Sequence, residues 1–428
     1  MLFFAATYIT TFILAMTRHS FAPISFLTFS NAVFVILILP KIIGFWVVGN
    51  SIFLTLYGVM DDNAAYAAAY ITFIFMIAIN TGYIIARPAR LAQPQPVLRA
   101  FTPRQDSLAR MINLYIVLPI SLVAILIYFS ATGVSLDALI SKRDWGTEGA
   151  GLLAYVSQKA AQFAKVGFFV SVLGILASNG VSRRWQMQLV AFSLLLVLVF
   201  LSSSQRAGVF LLVIMFILIL HVVGRLKIRH IVITLVLFLL ANSAILASRF
   251  VDGFEGLNFF EIFIRRYFFE LEKISAIFEY SVSDGMYLFS PISGIFSVST
   301  AEIPDMNIHY FIGSKMFGLP NLGIPPSVLG EIILFWGPIY VFPVTLLIAL
   351  ALARLERALV ETRSINVKLI LVVFLANSYF LLLNSDSLSL LRRLIFDGGF
   401  MLMALFIVYI AKTGGGFVLR AGPVNEKK

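Results

Sequence analysis

With 428 residues, 60% of them apolar and 12% charged, and a mean hydropathy of +0.96, the chain lies far outside the range of a soluble domain. It contains no cysteine, which excludes disulfides, thiolate nucleophiles and thiolate metal sites. The formal net charge of +11 fits basic cytoplasmic loops of a membrane protein, and no nucleic-acid partner is expected.

Apolar runs long enough to cross hydrocarbon recur along the chain, and they do not alternate as β-barrel strands would. In order they fall near 1–17, 21–40, 43–60, 64–86, 111–133, 151–177, 188–203, 207–223, 231–248, 326–353, 369–385 and 394–411. The opening MLFFAATYITTFILAMTRHS lacks a basic leader and a small-residue cleavage signal, so it reads as a first span. Pro40 and Lys41 read as a cytoplasmic turn, with 43–60 as a span, or else 43–60 is a re-entrant or surface segment. The expected fold is an all-α polytopic integral membrane protein of about eleven or twelve transmembrane helices. No sequence repeat relates its halves.

Five basic clusters orient this bundle. They are Arg87 to Arg110, Arg183 with Arg184, Arg225 to Arg229, Arg354 to Lys368, and the tail from Lys412. Alternating spans put all five on one face, which is therefore cytoplasmic, and RPARLAQPQPVLRAFTPR (87–104) is a cytoplasmic linker. The opposite face carries the longest non-spanning segment, 249–325, with nine acids against five bases. Three consecutive parts follow: a transmembrane bundle over 1–248, a large outer loop with an amphipathic helix over 249–325, and transmembrane helices with a cytoplasmic tail over 326–428.

Charged groups gather on the outer face. Arg206 lies in a short connection between two spans, within LSSSQRAGVFLL; alone, it could simply snorkel to headgroups. In YVSQKAAQFAKVGFF, Tyr155, Gln158, Lys159, Gln162 and Lys165 recur at helical spacing and form a polar stripe. That stripe implies a wet, anion-friendly cavity; the alternative is an amphipathic helix on anionic headgroups. The run NFFEIFIRRYFFELEKISAIFEY reads as a helix at the membrane boundary with Arg265 and Arg266 turned inward, or else as a surface helix pairing them with its own acids. Arg143, Arg249, Arg392 and Arg393 add further cations. Guanidinium forks suit phosphate oxygens, so a diphosphate is the ligand best served by such a set.

Glycines and prolines from Gly313 to Pro326 enforce turns, after which Ser327 reads as the N-cap of a span kinked at Pro338 and Pro343. Glu331 sits one turn inside, either paired to an arginine or available as a base. Asp61 and Asp62 read as an ordinary outer turn. Ser202 to Ser204 lack a triad pattern, and the four histidines lack zinc-site spacing.

Two of these stretches carry a resemblance. SSSQRAGVFLLVIMFILIL resembles the Ser/Arg-containing helix start of the bacterial O-antigen polymerases and ligases. NLGIPPSVLGEIILFWGPIY is similar to the segment that closes the large periplasmic loop of Wzy-type oligosaccharide repeat-unit polymerases, and RRYFFE carries a looser likeness. The resemblance implies a GT-C-like glycosyltransferase at the periplasmic face of the bacterial inner membrane. Its substrates would be oligosaccharide repeat units on undecaprenyl diphosphate; membrane lipids and a chain-length regulator would be its other partners. Arg206 and one of Arg265 or Arg266 match the arginines expected on the donor diphosphate, with Lys159, Lys165, Arg143 and Arg249 as further cations. Glu331, His309, Asp305 and Glu302, in that order, are the candidate proton acceptors. His309 lies about twenty residues too early for the ligase histidine, which favours a polymerase. No cofactor and no metal are expected, because protein cations can stabilise the leaving diphosphate. The alternatives are a lipid-linked oligosaccharide flippase or other transporter, and an O-antigen ligase.

Overall fold

The computed structural model describes residues 2–18, 25–48, 61–86, 101–132, 156–157, 159–177, 182–202, 206–222, 269–283, 308–318, 324–362, 364–384 and 387–417. They are almost entirely helical, and no strand occurs among them. Helices satisfy their own backbone hydrogen bonds, as hydrocarbon demands. Seven are long and apolar enough to cross a membrane: Phe26–Val47, Asp62–Ile85, Pro103–Ala131, Lys159–Ala177, Arg183–Phe200, Pro338–Glu361 and Leu390–Thr413. Four shorter apolar helices accompany them, Leu2–Arg18, Leu211–His221, Ser327–Trp336 and Ile365–Phe380. The protein is an all-α polytopic membrane protein; the span expected over 231–248 lies outside the described residues.

Two expectations are corrected. Pro40 and Lys41 form no turn, because the helix from Phe26 runs through them to Val48. A proline inside an α-helix loses a hydrogen bond and clashes with the carbonyl four residues back. Here the five residues Phe34–Ile38 adopt a π-turn immediately before Leu39 and Pro40, which re-spaces the ladder around that carbonyl. The same device recurs at Asn113–Val117, followed by Leu118 and Pro119. The second correction concerns 326–353. Instead of one kinked span, the Ser327–Trp336 helix ends at Gly337, whose φ of 90° only glycine adopts freely, and a 3-10 turn at Pro338–Tyr340 starts the next helix. Ser327 is the first helical residue, with a left-handed φ of 65°, and not the N-cap, which is Pro326.

Contacts divide the chain into two compact units. The first comprises Met1–Pro94, Val213–Thr362 and Phe374–Arg393. Its centre is the Asp62–Ile85 helix, against which Leu2–Arg18, Phe269–Ser283 and Val341–Glu361 pack. Small residues allow this: Ala64, Ala65, Ala68 and Ala69 are buried, and a Cβ added to Gly82 would sit 2.6 Å from that of Ala349. Asp61 caps the helix, accepting from the N–H groups of Asn63 and Ala64 at 3.0 and 3.1 Å, so the acidic pair Asp61–Asp62 opens with a capping residue. A buried polar chain ties three helices together. The Tyr8 hydroxyl donates to Asn31 Oδ1 at 2.9 Å, and Asn31 Nδ2 donates to Asn80 Oδ1 at 3.0 Å.

The second unit comprises Gln95–Leu212, Arg363–Val373 and Leu394–Lys428. The Lys159–Ala177 span is its centre and the most deeply buried of the seven. Neighbouring helices close on its glycines: a Cβ on Gly167 would lie 2.2 Å from the Phe192 ring, and one on Gly174 2.3 Å from Trp185. Asn113, placed on a π-turn, donates from Nδ2 to Ser171 Oγ at 3.0 Å and to Gln188 Oε1 at 2.9 Å. Asp106 accepts from Trp185 Nε1 at 2.6 Å and pairs with Arg110 at 2.9 Å, anchoring the basic end of this unit.

Candidate functional site

In the first unit, Glu331 and His309 lie on helices too short to cross a membrane by themselves. The Ser327–Trp336 helix has ten residues, a rise of roughly 15 Å and so about half the hydrocarbon thickness. Residues from Ser327 to Leu334 are all buried, Glu331 among them at 6% exposure. This helix packs against Phe269–Ser283, and the contact is close because Gly330 faces it: an added Cβ would stand 2.8 Å from Ile277 Cδ1. Ser281 Oγ also donates to the Ile333 carbonyl at 3.3 Å. The same neighbouring helix brings Glu272 and Lys273, both fully buried, into the interior of this unit.

His309 is half-buried on the Ile308–Phe311 helix, which a π-turn extends to Met316. Its carbonyl accepts from the Ile324 N–H at 2.8 Å, three residues before Ser327. The chain thus folds back so that the segments carrying His309 and Glu331 adjoin. Asp305, Glu302, Arg143, Arg249, Arg265 and Arg266 lie outside the described residues. Lys315, Arg392 and Arg393 are within them.

The polar stripe belongs to the second unit, and the structure divides it. Lys159 is half-buried, with its ammonium 5.3 Å from the centre of the partly exposed Phe396 ring. Six residues deeper, Lys165 is 3% exposed and forms an ion pair with Asp397, itself 1% exposed. Gln162 Oε1 accepts from Lys165 Nζ at 3.3 Å. The ring centres of Phe200 and Phe400 stand 5.3 and 5.8 Å from the same nitrogen, so two π faces and a carboxylate surround one ammonium.

Backbone geometry supports this arrangement. Between Lys159 and Val166 the N–H groups of Gln162, Phe163, Lys165 and Val166 bond three residues back, not four. The tightened turn rotates Lys165 relative to Lys159 from its regular helical position. Removing one partner of a buried ion pair costs about 3–5 kcal/mol, because the other charge stays behind uncompensated. An anion that took Lys165 would incur that cost and would meet the Asp397 carboxylate as well. Lys165 is therefore engaged internally, in its pair with Asp397.

Arg206 opens the Arg206–Val222 helix, and its side chain lies outside the described residues. Two residues on, Gly208 faces Phe200: an added Cβ would lie 2.3 Å from that ring. Phe200 is fully buried, so the glycine in QRAGV fixes how closely the helix bearing Arg206 approaches the preceding one.

Asp397 and Glu356, both with defined partners, were not singled out from the sequence. Asp397 stands alone in the apolar run LLRRLIFDGGFMLMALF, and an isolated acid inside a span is itself the signal. Glu356 is hidden among the bases from Arg354 to Lys368. Its Oε1 accepts from the Phe26 N–H at 2.6 Å, from Tyr83 Oη at 2.8 Å and from Tyr379 Oη at 2.5 Å. Arg357 turns instead to Glu361 at 2.8 Å. No family model, curated protein or solved structure matches the chain.

Proposed function

We propose that the protein is a glycosyltransferase that polymerises undecaprenyl-diphosphate-linked oligosaccharide repeat units into O-antigen or a related surface polysaccharide, acting at the periplasmic face of the bacterial inner membrane. The observation that carries this reading is the buried Glu331 on a half-length helix. That helix follows the long outer connection, adjoins the His309 segment, and lies in the stretch that resembles the polymerases.

In the reaction the acceptor hydroxyl oxygen attacks the anomeric carbon of the donor sugar, and the bond from that carbon to the diphosphate oxygen breaks. The hydroxyl proton passes to Glu331, with His309 and Asp305 as the other candidate acceptors. The electron pair leaves with the lipid diphosphate. Arg206, one of Arg265 or Arg266, and Lys159 supply the positive charge that stabilises it, aided by Arg143 and Arg249. The cations do the work that a metal does elsewhere, and chain growth is expected to persist in a chelator.

Replacement of Arg206 by alanine is expected to leave protein in the membrane and yield lipopolysaccharide bearing single repeat units. A normal ladder of long chains from that variant would refute the assignment. An intramembrane pair such as Lys165–Asp397 is also what a transporter reading would draw on. The two separate in a null strain: lipid-linked units accumulate outside if a polymerase is lost, and on the cytoplasmic leaflet if a flippase is lost. A defined diphosphate-linked repeat unit, incubated with purified protein and assayed for chain growth, tests the chemistry directly.

A further inference from the structure

We infer that Lys165 and Asp397 do not bind the anionic substrate but are positioning residues, whose buried pair holds the start of the Arg206–Val222 helix in place through the ring of Phe200. The inference rests on the proposed function in taking Arg206 and Lys159 as the cations that meet a lipid-linked diphosphate. Every contact it invokes lies within the second unit. The Lys165 ammonium is fixed by Asp397 on one side and lies over Phe200 on another. The Phe200 ring in turn leaves no room for a Cβ at Gly208, two residues beyond Arg206. Charge pair, ring and glycine are therefore one stack, and the position of Arg206 depends on all three.

Three features separate this role from direct ligation. First, Asp397 already neutralises Lys165, and a diphosphate there would meet a carboxylate of its own sign. Second, both charges are buried, whereas Lys159 is half-buried. Third, the backbone between the two lysines leaves α-helical spacing, so they do not share the orientation that sequence periodicity assigns them. Phe163, in that tightened turn, packs edge-on against Phe400 with ring centres 6.5 Å apart, which braces the same aromatic cage from the span that carries Lys165.

The experiment uses the full-length protein in detergent micelles and dodecyl diphosphate as the probe, with dissociation constant and melting temperature both measured. Asp397→Asn gives the two roles opposite signs. If Lys165 were a ligand, removing its competing carboxylate would tighten binding. As a positioning residue, Asp397 when replaced lowers the melting temperature and weakens binding several-fold, because the stack beneath Arg206 loosens. Replacing the pair together, Lys165→Met with Asp397→Leu, is expected to restore both values, since an apolar pair fills a buried site without a stranded charge. Arg206→Ala and Lys159→Gln are each expected to weaken binding roughly tenfold with little change in melting.

Tighter binding by Asp397→Asn overturns the inference. So does a double variant that melts like the wild type yet binds as weakly as Arg206→Ala. A wild-type protein with no measurable affinity for dodecyl diphosphate overturns it too. If the expected binding pattern appears but purified protein grows no polymer from a defined repeat unit, the polymerase reading fails and the positioning role stands.

Discussion

Three donors converge on Glu356 Oε1, and none of them is a cation. One is the first N–H of the Phe26–Val33 helix, so the carboxyl satisfies a group that every helix start leaves open. The other two are phenols of otherwise buried rings, Tyr83 and Tyr379. Net hydrogen bonds are worth about 1 kcal/mol, and buried groups left without a partner cost about 1–3 kcal/mol each. Tyr83→Phe should therefore lower stability by about 1 kcal/mol, Glu356→Gln by little, since it keeps an acceptor, and Glu356→Ala by several times the Tyr83→Phe effect. Melting of the detergent-solubilised protein checks the order, and adding Tyr83→Phe to Glu356→Ala should cost almost nothing more. At this scale the sequence shows which residues are polar but not whom they meet. Lys159, Gln162 and Lys165 read as one stripe because their spacing is local, but the tightened turn between them divides it. Asp397 lies 232 residues from Lys165 in the chain, and no local period links them.

At the scale of elements, apolar run length located the helices well where nothing interrupts the pattern. The expected span at 64–86 is the Asp62–Ile85 helix, and that at 188–203 is Arg183–Phe200. It failed at prolines and glycines, because a proline can be absorbed by a π-turn, as at Pro40, or stand beside a true break, as at Gly337. Helix crossings set by glycine give a second test. Gly82→Val would press a branched side chain into the Val341–Glu361 helix, where even a Cβ comes within 2.6 Å of Ala349. Overpacking of this kind costs about 1–3 kcal/mol or more. The expected result is a lower melting temperature, partly rescued by Ala349→Gly. Gly398 and Gly399 give the control, since a Cβ at either would meet nothing within 4 Å and alanine there should be tolerated.

For the whole molecule, charge asymmetry in the loops gives an orientation that the absence of cysteine makes easy to test. Asn63 and Arg104 are both exposed, each near the N-terminal end of its helix. A single cysteine at position 63 should react with an impermeant maleimide in intact spheroplasts, and one at 104 only after the membrane is opened. The reverse pattern would invert every assignment of face. What the sequence could not supply at this scale is the partition into two units, each assembled from three separated stretches. Run length and charge are read along the chain, whereas such units are defined by what meets across it. The candidate site is legible to the same degree: its residue types stand out, and their grouping does not.

The clasp at Glu356 also sets a clock for biogenesis. The N-terminal end of the Phe26–Val33 helix is closed by a carboxyl 330 residues further on. At synthesis rates of about 5–20 residues per second, that partner emerges roughly 15–65 s later. Through that interval the early helices sit in the bilayer with the Phe26 amide and the Tyr83 phenol lacking their acceptor, so the nascent protein depends on water, lipid headgroups or an insertase to shelter them until Glu356 has been translated.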